Sequence, residues 1–328
     1  MAVDLKTNYM GFELKNPLVA SSSGLTDSVD KIKKLYDAGI AAVVLKSIFE
    51  EQILREVDSL GVNNMYGTFQ DAENYVSFYT KEHNLGNYIQ LIKDAKSAVD
   101  IPVIASINCI SDSEWTDYAK RIEEAGADGL EINMFVMPSN AGISGSYIEK
   151  LYFKVVENIK KNVNIPVALK LSSYFSGLAN TFVDLSTKGI AAMVLFNRFY
   201  TPDIDLDTEK IISSNIYSVP EENGNTLRWI SMLSGKVKCD LAASTGVHDG
   251  DSFIKNILAG ANAVQIASVL YEKDLSYIKT MLSRLEEWMI SKKYESVSQI
   301  TGKLSAKNIS NPMMYERAQF MKYFSNHY

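Results

Sequence analysis

Short apolar runs alternate with longer amphipathic runs along the whole chain. The short runs are rich in Val, Ile and Ala and are apolar at nearly every position, which is typical of strands buried on both faces of a parallel sheet. Eight of these runs are predicted to be strands: Pro17–Ser21, Ala41–Lys46, Pro102–Ile107, Gly129–Asn133, Pro166–Leu171, Ala191–Phe196, Cys239–Ala243 and Ala263–Ala267.

Four amphipathic runs end at a glycine, where the C-terminus of a helix favours a residue with positive φ. The predicted helices are Ser28–Asp37, Ser113–Ala125, Thr181–Lys188 and Asp251–Ala259, and the glycines are Gly39, Gly126, Gly189 and Gly260. An apolar strand follows each glycine after one or two residues, so the chain repeats a β/α unit. Eight such units predict an α/β fold, a (β/α)8 TIM barrel formed as a single domain over residues 1–328. A doubly wound open sheet is the alternative.

Three connections that follow strands are longer than simple turns: residues 47–86, 134–144 and 197–225. In a TIM barrel these connections lie at the carboxyl ends of the strands, where active sites form. Residues 308–328 are aromatic and mixed in charge, and are predicted to be an extension that packs on the barrel or mediates dimerisation.

Composition excludes several classes of function. The net charge of −6 argues against nucleic acid as a partner, because phosphate backbones need a basic surface. Two cysteines and three histidines provide neither a disulfide framework nor the usual zinc ligands, so no metal is predicted. Neither an N-terminal apolar segment nor a run of 18 apolar residues occurs, which predicts a cytoplasmic protein that does not enter a membrane.

Polar side chains at the ends of predicted strands are the candidates for chemistry. Lys46 ends the second strand and Lys170 the fifth, and an ammonium group at the barrel mouth favours an anion or an electron-rich ring; a structural ion pair is the alternative. Asn108, Asn133 and Asn197 lie at the ends of three other strands. Their amides suit a heterocycle with donors and acceptors on its edge, although asparagine also caps loops.

The last two strands carry a signal for phosphate binding. The seventh strand leads into Ser244-Thr245-Gly246 and the eighth into Ala267-Ser268, and these two loops commonly bind phosphate in TIM barrels. Small residues from Ala20 to Gly24, after the first strand, would let a flat ring approach the backbone.

Five segments together resemble the dihydroorotate dehydrogenases. Asn16-Pro17-Leu18-Val19-Ala20-Ser21-Ser22-Ser23-Gly24 is similar to the opening N-P-x-x-x-A-S-G of that family. The other four similar segments are Leu45-Lys46-Ser47, Glu131-Ile132-Asn133, Lys170-Leu171, and the closing pair Ser244-Thr245-Gly246-Val247 and Gln265-Ile266-Ala267-Ser268. The resemblance spans residues 9–305 and is to the soluble, class 1 branch, because no membrane-binding extension precedes it.

The resemblance implies an FMN cofactor, with Lys170 near the flavin N1–C2 edge and the FMN phosphate near Gly246 and Ser268. The implied cofactor-binding residues are Ala20, Ser21, Gly24, Lys46, Ser47, Asn108, Asn133, Lys170, Ser244, Thr245, Gly246, Ala267 and Ser268. The implied substrate-binding residues are Lys46, Asn64, Asn133, Asn140 and Asn197. The implied reaction removes a C5 proton from dihydroorotate and passes the C6 hydride to flavin N5, forming orotate for pyrimidine biosynthesis. A homodimer is also implied.

The chain departs from the family on the substrate side. The family has N-L-S-C-P-N after the fourth strand, with the base at Cys, whereas this chain reads Asn133-Met134-Phe135-Val136-Met137-Pro138-Ser139-Asn140. Neither Val136 nor Met137 can accept a proton, so Ser139 and Cys109 are the candidate bases and complete a catalytic set with Lys46. The alternatives are therefore an FMN oxidoreductase of another dihydropyrimidine-like substrate and a non-catalytic flavin-binding barrel.

Overall fold

A computed structural model describes residues 3–49, 70–109, 115–199 and 201–317 of the chain. In chain order its strands are β1 (Thr7–Tyr9), β2 (Phe12–Leu14), β3 (Leu18–Ala20), β4 (Ala42–Val44), β5 (Ile48–Phe49), β6 (Val103–Cys109), β7 (Gly129–Met134), β8 (Val167–Leu171), β9 (Ala192–Leu195), β10 (Pro202–Asp205), β11 (Lys210–Ser213), β12 (Asp240–Ser244) and β13 (Ala263–Ile266). Its α-helices are α1 (Val29–Ala38), α2 (Gln70–Ala98), α3 (Trp115–Glu124), α4 (Gly145–Lys160), α5 (Leu178–Ser186), α6 (Asn223–Leu233), α7 (Gly250–Ala259), α8 (Ser268–Lys273), α9 (Tyr277–Ser291) and α10 (Met313–Glu316).

Eight parallel strands close into the predicted barrel. Their order around the barrel is β4-β3-β13-β12-β9-β8-β7-β6, and β4 pairs with β6 to close it. Each predicted strand is confirmed to within two residues at either end. The short strand β5 continues the line of β4 and pairs with the second half of β6. The fold is therefore the (β/α)8 TIM barrel.

The glycine signals for helix ends are confirmed as well. Gly39, Gly126, Gly189 and Gly260 have φ of 107°, 93°, 79° and 123°. They follow α1, α3, α5 and α7, which are the four helices predicted from the amphipathic runs. In this region of φ a side chain clashes with its own backbone, so glycine lets the chain turn straight from helix to strand.

The amino end of the barrel is closed by the hairpin β1–β2. Tyr9, Met10 and Leu14 are almost fully buried, and they pack against the inward-facing side chains at the start of the barrel strands. Several of those side chains are alanines, which make room for the three larger residues: Ala42, Ala168, Ala192, Ala242 and Ala263. The hairpin was not predicted, because strands of three residues are too short to show a period of two.

The long connections hold more regular structure than expected. Residues 135–144 form neither helix nor strand, in line with the prediction, but α2 already begins at Gln70, inside the predicted loop 47–86. The connection 197–225 contains the hairpin β10–β11, a 3-10 turn over Pro220–Glu222, and the start of α6. Nearly every residue of β10 and β11 is exposed, so these strands lack the apolar alternation that would have predicted them. None of the helices in the described part of the chain has the length and apolar character needed to cross a membrane.

Candidate active site

A cavity of about 470 Å³ opens at the carboxyl ends of the barrel strands. This volume is within the range of pockets that hold cofactors and other small molecules. Eight of the predicted site residues line it: Ser21, Lys170, Asn197, Ser244, Thr245, Gly246, Ala267 and Ser268. Residues that lie more than 70 positions apart in the sequence are therefore brought to one cavity by the closure of the barrel.

Lys170 lies on the inner side of this cavity and is only 6% exposed. Its ammonium group donates to the Ser21 hydroxyl at 2.9 Å and to Gln265 Oε1 at 3.1 Å, and it lies 3.7 Å from Glu131 Oε1. Gln265 in turn donates to Glu131 Oε2 at 2.5 Å. Because a buried cation is costly without partners, this network holds the ammonium group in place with part of it facing the cavity.

Among the described residues, two buried polar atoms at this network have no hydrogen-bond partner. They are Glu131 Oε1 and the hydroxyl of Tyr9, which comes from the hairpin that closes the barrel. Burial, followed by the charges of Glu131 and Asp240, raises the pKa of Tyr9 well above its usual value. The phenol of Tyr9 is therefore neutral, and it lies close to the Glu131 carboxyl that contacts Lys170.

The side of the cavity formed after β12 and β13 is built from backbone and hydroxyl groups. Gly246 has φ of 77°, and a Cβ there would lie 2.2 Å from the backbone nitrogen of Asn223, so only glycine fits. Thr245 also has positive φ, and its hydroxyl donates to the Phe196 carbonyl at 3.0 Å. This tight loop lines the cavity at the position where TIM barrels bind phosphate.

A row of hydrogen-bonded hydroxyl groups lies behind the wall of the cavity that follows β3. Ser47 Oγ lies 3.0 Å from Ser22 Oγ and 2.7 Å from Ser106 Oγ, and the Ser106 backbone N–H donates to the Tyr88 hydroxyl at 2.7 Å. Ser47 and Ser106 are buried. The row fixes the backbone after β3, where Ser21 and Ser22 line the cavity.

The strands β7 and β9 place two predicted asparagines together. Asn197 Nδ2 donates to Asn133 Oδ1 at 2.8 Å, which leaves the Asn133 amide donors and the Asn197 carbonyl oxygen for a ligand. Beside this pair, the rings of Phe135 and Phe199 lie 3.8 Å apart and Tyr174 lies 5.5 Å from Phe199. The asparagine pair thus borders an aromatic cluster of three rings.

The residues that line the cavity do not include Ala20, Gly24, Lys46, Ser139 or Asn140. Ala20 is buried in β3, and Lys46, Ser139 and Asn140 are exposed. Gly24 lies beside Tyr271, whose hydroxyl would be 2.9 Å from a Cβ at that position. Asn108 and Cys109 end β6, where their backbones pair with Asn133 and Met134 of β7. Asn64 lies outside the described residues.

Several residues of the site were not predicted from the sequence. Glu131 and Gln265 hold Lys170, Arg198 lines the cavity, and Tyr217 stacks on Tyr271 at 5.2 Å between ring centroids. A signal existed for Glu131, because a carboxylate two residues before Asn133 in an apolar strand points to the same interior face. Gln265 offers the same signal, because it is a polar residue two positions before Ala267 in an apolar strand. Arg198 and Tyr217 come from a loop, and the sequence offers no such signal for them.

Comparisons with known proteins agree with this arrangement. The family model of dihydroorotate dehydrogenase matches residues 4–289 of the chain. The chain is 26% identical over 314 residues to the catalytic subunit of dihydroorotate dehydrogenase B (NAD(+)) from Thermoplasma volcanium, an alignment that covers 91% of this chain and 98% of that protein. It is 25% identical over 312 residues to the protein of the same name from Methanothermobacter thermautotrophicus, with 91% and 97% covered.

A relative with a different name is also similar. The subunit PreA of the NAD-dependent dihydropyrimidine dehydrogenase from Escherichia coli is 23% identical over 330 residues, which cover 91% of this chain and 76% of PreA. The family model covers most of the chain, and the barrel with its lysine-bearing cavity has the architecture expected from the sequence. The chain belongs to the dihydroorotate dehydrogenase family, whose members are dehydrogenases that act on a CH–CH bond.

Proposed function

We propose that the chain is an FMN-dependent oxidoreductase that oxidises dihydroorotate to orotate in pyrimidine biosynthesis. The observation that carries the proposal is the buried Lys170 ammonium group, which faces a cavity of about 470 Å³ opposite the glycine-containing loop Ser244–Gly246. A buried cation suits the edge of a flavin that gains negative charge on reduction, and the loop suits its phosphate. The bound FMN would supply the acceptor for the hydride.

The residues present fit this cofactor on chemical grounds. Ser21, Ser22 and Ser23 have short side chains that leave room for a flat ring against the backbone after β3. Gly246 brings the backbone close, and the hydroxyl groups of Ser244 and Ser268 line the same end of the cavity. Ser21 is already bonded to Lys170, so it would orient the ammonium group toward the ring.

The substrate side favours a second candidate, a dihydropyrimidine other than dihydroorotate. Val136 and Met137 take the place of the family's base, and the aromatic rings of Phe135, Phe199 and Tyr174 adjoin the asparagine pair. The similarity to a protein named dihydropyrimidine dehydrogenase subunit is consistent with such a change. Asn133 and Asn197 would still bind the amide edge of either ring.

Anaerobic titration separates the two candidates. The purified protein is loaded with FMN, and its absorbance near the flavin bands is followed while dihydroorotate or dihydrouracil is added. Bleaching by dihydroorotate supports the first candidate, and bleaching by dihydrouracil alone supports the second. A protein that binds neither FMN nor riboflavin would contradict the proposed function.

The base is tested with a matched pair of variants. Removing a general base lowers kcat by about 10²–10⁴-fold, so Ser139→Ala should slow flavin reduction by at least about 100-fold if Ser139 accepts the proton. Ser146→Ala removes another exposed hydroxyl, in α4, and should leave the rate unchanged. An unaltered rate in Ser139→Ala would direct the search to Cys109→Ala.

We also propose that electrons leave through a second subunit. Two of the relatives are named catalytic subunits of an NAD(+)-dependent enzyme. The described residues contain no group of three His, Cys, Asp or Glu side chains that could hold a metal ion, so an iron–sulfur centre would belong to the partner. The chain alone should then reduce a dye such as dichlorophenolindophenol with substrate, but should not reduce NAD. Direct reduction of NAD by the chain alone would contradict this part of the proposal.

A further inference from the structure

Three side chains form a continuous hydrogen-bonded chain beside the cavity. Ser218 precedes the 3-10 turn, His248 lies between β12 and α7, and Glu272 lies in α8. Ser218 Oγ is 2.9 Å from His248 Nε2, and His248 Nδ1 is 3.1 Å from Glu272 Oε2. Ser218 and His248 are 5% and 6% exposed, whereas the Glu272 side chain is 41% exposed.

The carboxylate of Glu272 determines which atoms carry protons in this hydrogen-bonded series. A carboxylate only accepts hydrogen bonds, so His248 Nδ1 carries a proton and donates a hydrogen bond to Glu272. When the imidazole is neutral, Nε2 is bare and accepts the hydroxyl proton of Ser218. When the imidazole is a cation, Nε2 donates to Ser218 Oγ, and the Ser218 hydroxyl is free to donate elsewhere.

Ser218 is placed where such a donor would meet an anion. It lines the cavity with Ser244, Gly246 and Ser268, at the end assigned above to phosphate. Its backbone N–H donates to Ser268 Oγ at 3.1 Å, so the hydroxyl proton of Ser268 also remains available for a ligand. Ser218 and Ser268 therefore form an adjoining pair of hydroxyl donors. Ser218 can donate to a ligand only when His248 is protonated.

The loop that carries Ser218 is fixed from its other side. Arg198 Nε donates to both carboxylate oxygens of Glu222 at 3.1 and 3.2 Å, and its remaining nitrogens donate to the carbonyls of Asn215 and Ile216. Arg198 therefore fixes both ends of the segment 215–222. The Ser218 hydroxyl can change the acceptor of its hydrogen bond by rotating its proton, with no movement of the backbone.

We propose that Ser218, His248 and Glu272 form a proton-linked phosphate-binding element, in which His248 takes up one proton from solvent when a phosphate group binds. The proton is added at Nε2, the Ser218 hydroxyl turns from the imidazole to a phosphate oxygen, and the imidazolium is balanced by Glu272. The inference rests on the proposed FMN site and adds to it the residues that make binding depend on pH. By linkage, phosphate binding and proton binding strengthen each other by the same factor.

Other charged groups lie on the segments that carry these three residues: Asp249, Asp251, Lys255, Glu221, Glu222 and Lys273. Asp251 is paired with Arg284 and Glu222 with Arg198. Asp249 caps α7 by accepting from the backbone N–H of Ser252 at 2.7 Å. Glu272 is the group in hydrogen-bonding contact with the ring, so it is the counter-ion that the element uses.

The test compares ligands with and without phosphate. Binding of FMN and of riboflavin is measured by isothermal titration calorimetry at pH 7.5, in two buffers with different ionisation enthalpies. Because the FMN phosphate is mostly a dianion at that pH and histidine titrates near neutrality, we expect an uptake of about 0.5–1 proton with FMN and none with riboflavin.

Variants of Ser218, His248 and Glu272 distinguish a loss of proton-linked phosphate binding from a general loss of folding. His248→Gln and Ser218→Ala should abolish proton uptake and weaken FMN about tenfold, the effect of one lost bond to a charged group, while riboflavin affinity stays unchanged. Glu287→Gln, which removes an exposed carboxylate from α9, should behave like the parent protein. Glu272→Gln should reduce the uptake, because the imidazolium loses its counter-ion.

Four results would overturn the inference. They are FMN binding without proton uptake, uptake that persists in His248→Gln, phosphate binding without proton uptake, and covalent labelling of Ser218 by a fluorophosphonate, which would make Ser218 a nucleophile. Inorganic phosphate serves as a further probe that does not depend on flavin. If neither flavin binds but phosphate binds with a proton uptake that His248→Gln abolishes, the flavin proposal fails and the element stands. If phosphate binds without uptake, the element fails.

Discussion

The two sides of the barrel mouth are built differently. Around the ends of β8, β12 and β13, polar groups are buried and hydrogen-bonded to one another, and Lys170 and Gln265 also contact Glu131 inside β7. On the side that follows β7, residues 137–147 are exposed, including the polar Ser139 and Asn140. Most of the segments that resemble the family lie on the side with the buried network. The segment that departs from the family lies on the side with the exposed residues.

Under the proposed function, this contrast would separate the binding of the cofactor from the choice of substrate. Buried networks tolerate few substitutions, because each lost partner leaves an unpaired polar group in a region without water. An exposed connection can change without disturbing the barrel beneath it. Variants on the first side should therefore lower both stability and cofactor affinity, and variants on the second should lower turnover while cofactor affinity stays the same.

The largest effect is expected for Lys170→Met. Breaking a buried ion pair leaves the Glu131 carboxyl without its cation, which should lower the free energy of unfolding by about 3–5 kcal/mol. At the proposed flavin site, loss of this cation should also slow flavin reduction by about 100-fold and lower the reduction potential of the flavin. Chemical denaturation, stopped-flow measurement of flavin reduction and a dye-linked potential titration measure the three effects.

The double variant Lys170→Met with Glu131→Gln is the control for that experiment. It removes both charges, so it should recover much of the stability but none of the reduction rate. A Lys170→Met protein that reduces its flavin at the parent rate would contradict the role assigned to the ammonium group.

A smaller effect is expected for Gly246→Ala. The new Cβ would lie within 3 Å of backbone atoms of Glu222 and Asn223, at a φ that favours glycine. We expect a loss of about 1–3 kcal/mol in unfolding free energy and weaker FMN binding, because the loop must move. Gly145→Ala on the other side, where a Cβ has no neighbour within 4 Å, should change stability by less than about 0.5 kcal/mol. Equal effects of the two substitutions would remove the contrast between the sides.

The smallest effect is expected for Tyr152→Phe, which acts on the substrate side. The Tyr152 hydroxyl accepts the backbone N–H of Val136 at 3.3 Å, so its removal should destabilise the protein by about 0.5–1.5 kcal/mol. We expect FMN affinity to stay the same while kcat falls, and Tyr147→Phe on the exposed face of α4 to change neither.

The pH dependence of the Tyr152 effect has a definite sign. Burial raises the pKa of Tyr152, so the folded protein holds the phenol proton more tightly than the unfolded chain does. The stability that Tyr152 contributes should be constant up to about pH 10, the ordinary value for tyrosine, and should be lost as the pH rises further. A difference from Tyr152→Phe that grows above this pH would contradict the account.

The sequence predicted the barrel because its strands are buried on both faces and its helices end in glycines. Strand periodicity also led to Lys170, Asn133 and Asn197, which are fixed by their place at strand ends. It did not lead to Ser218 and Arg198, since these lie in a connection whose position depends on contacts with distant segments. The hydrogen bond between Lys170 and Gln265 joins β8 to β13 across the barrel interior. The sequence pattern of either strand alone does not predict it, because the two residues meet only when the sheet closes.

The hairpin β1–β2 has a consequence for the order of events during synthesis on the ribosome. Tyr9 and Met10 emerge before the barrel strands, but the surface that covers them includes Val19 at one end of the barrel sequence and Ala263 at the other. The hairpin therefore has no complete binding surface until the last barrel strand has been translated. Chains truncated before β13 should expose Tyr9 to solvent, and full-length chains should protect it, so quenching of an introduced Tyr9→Trp fluorophore would report the moment at which the nascent barrel closes.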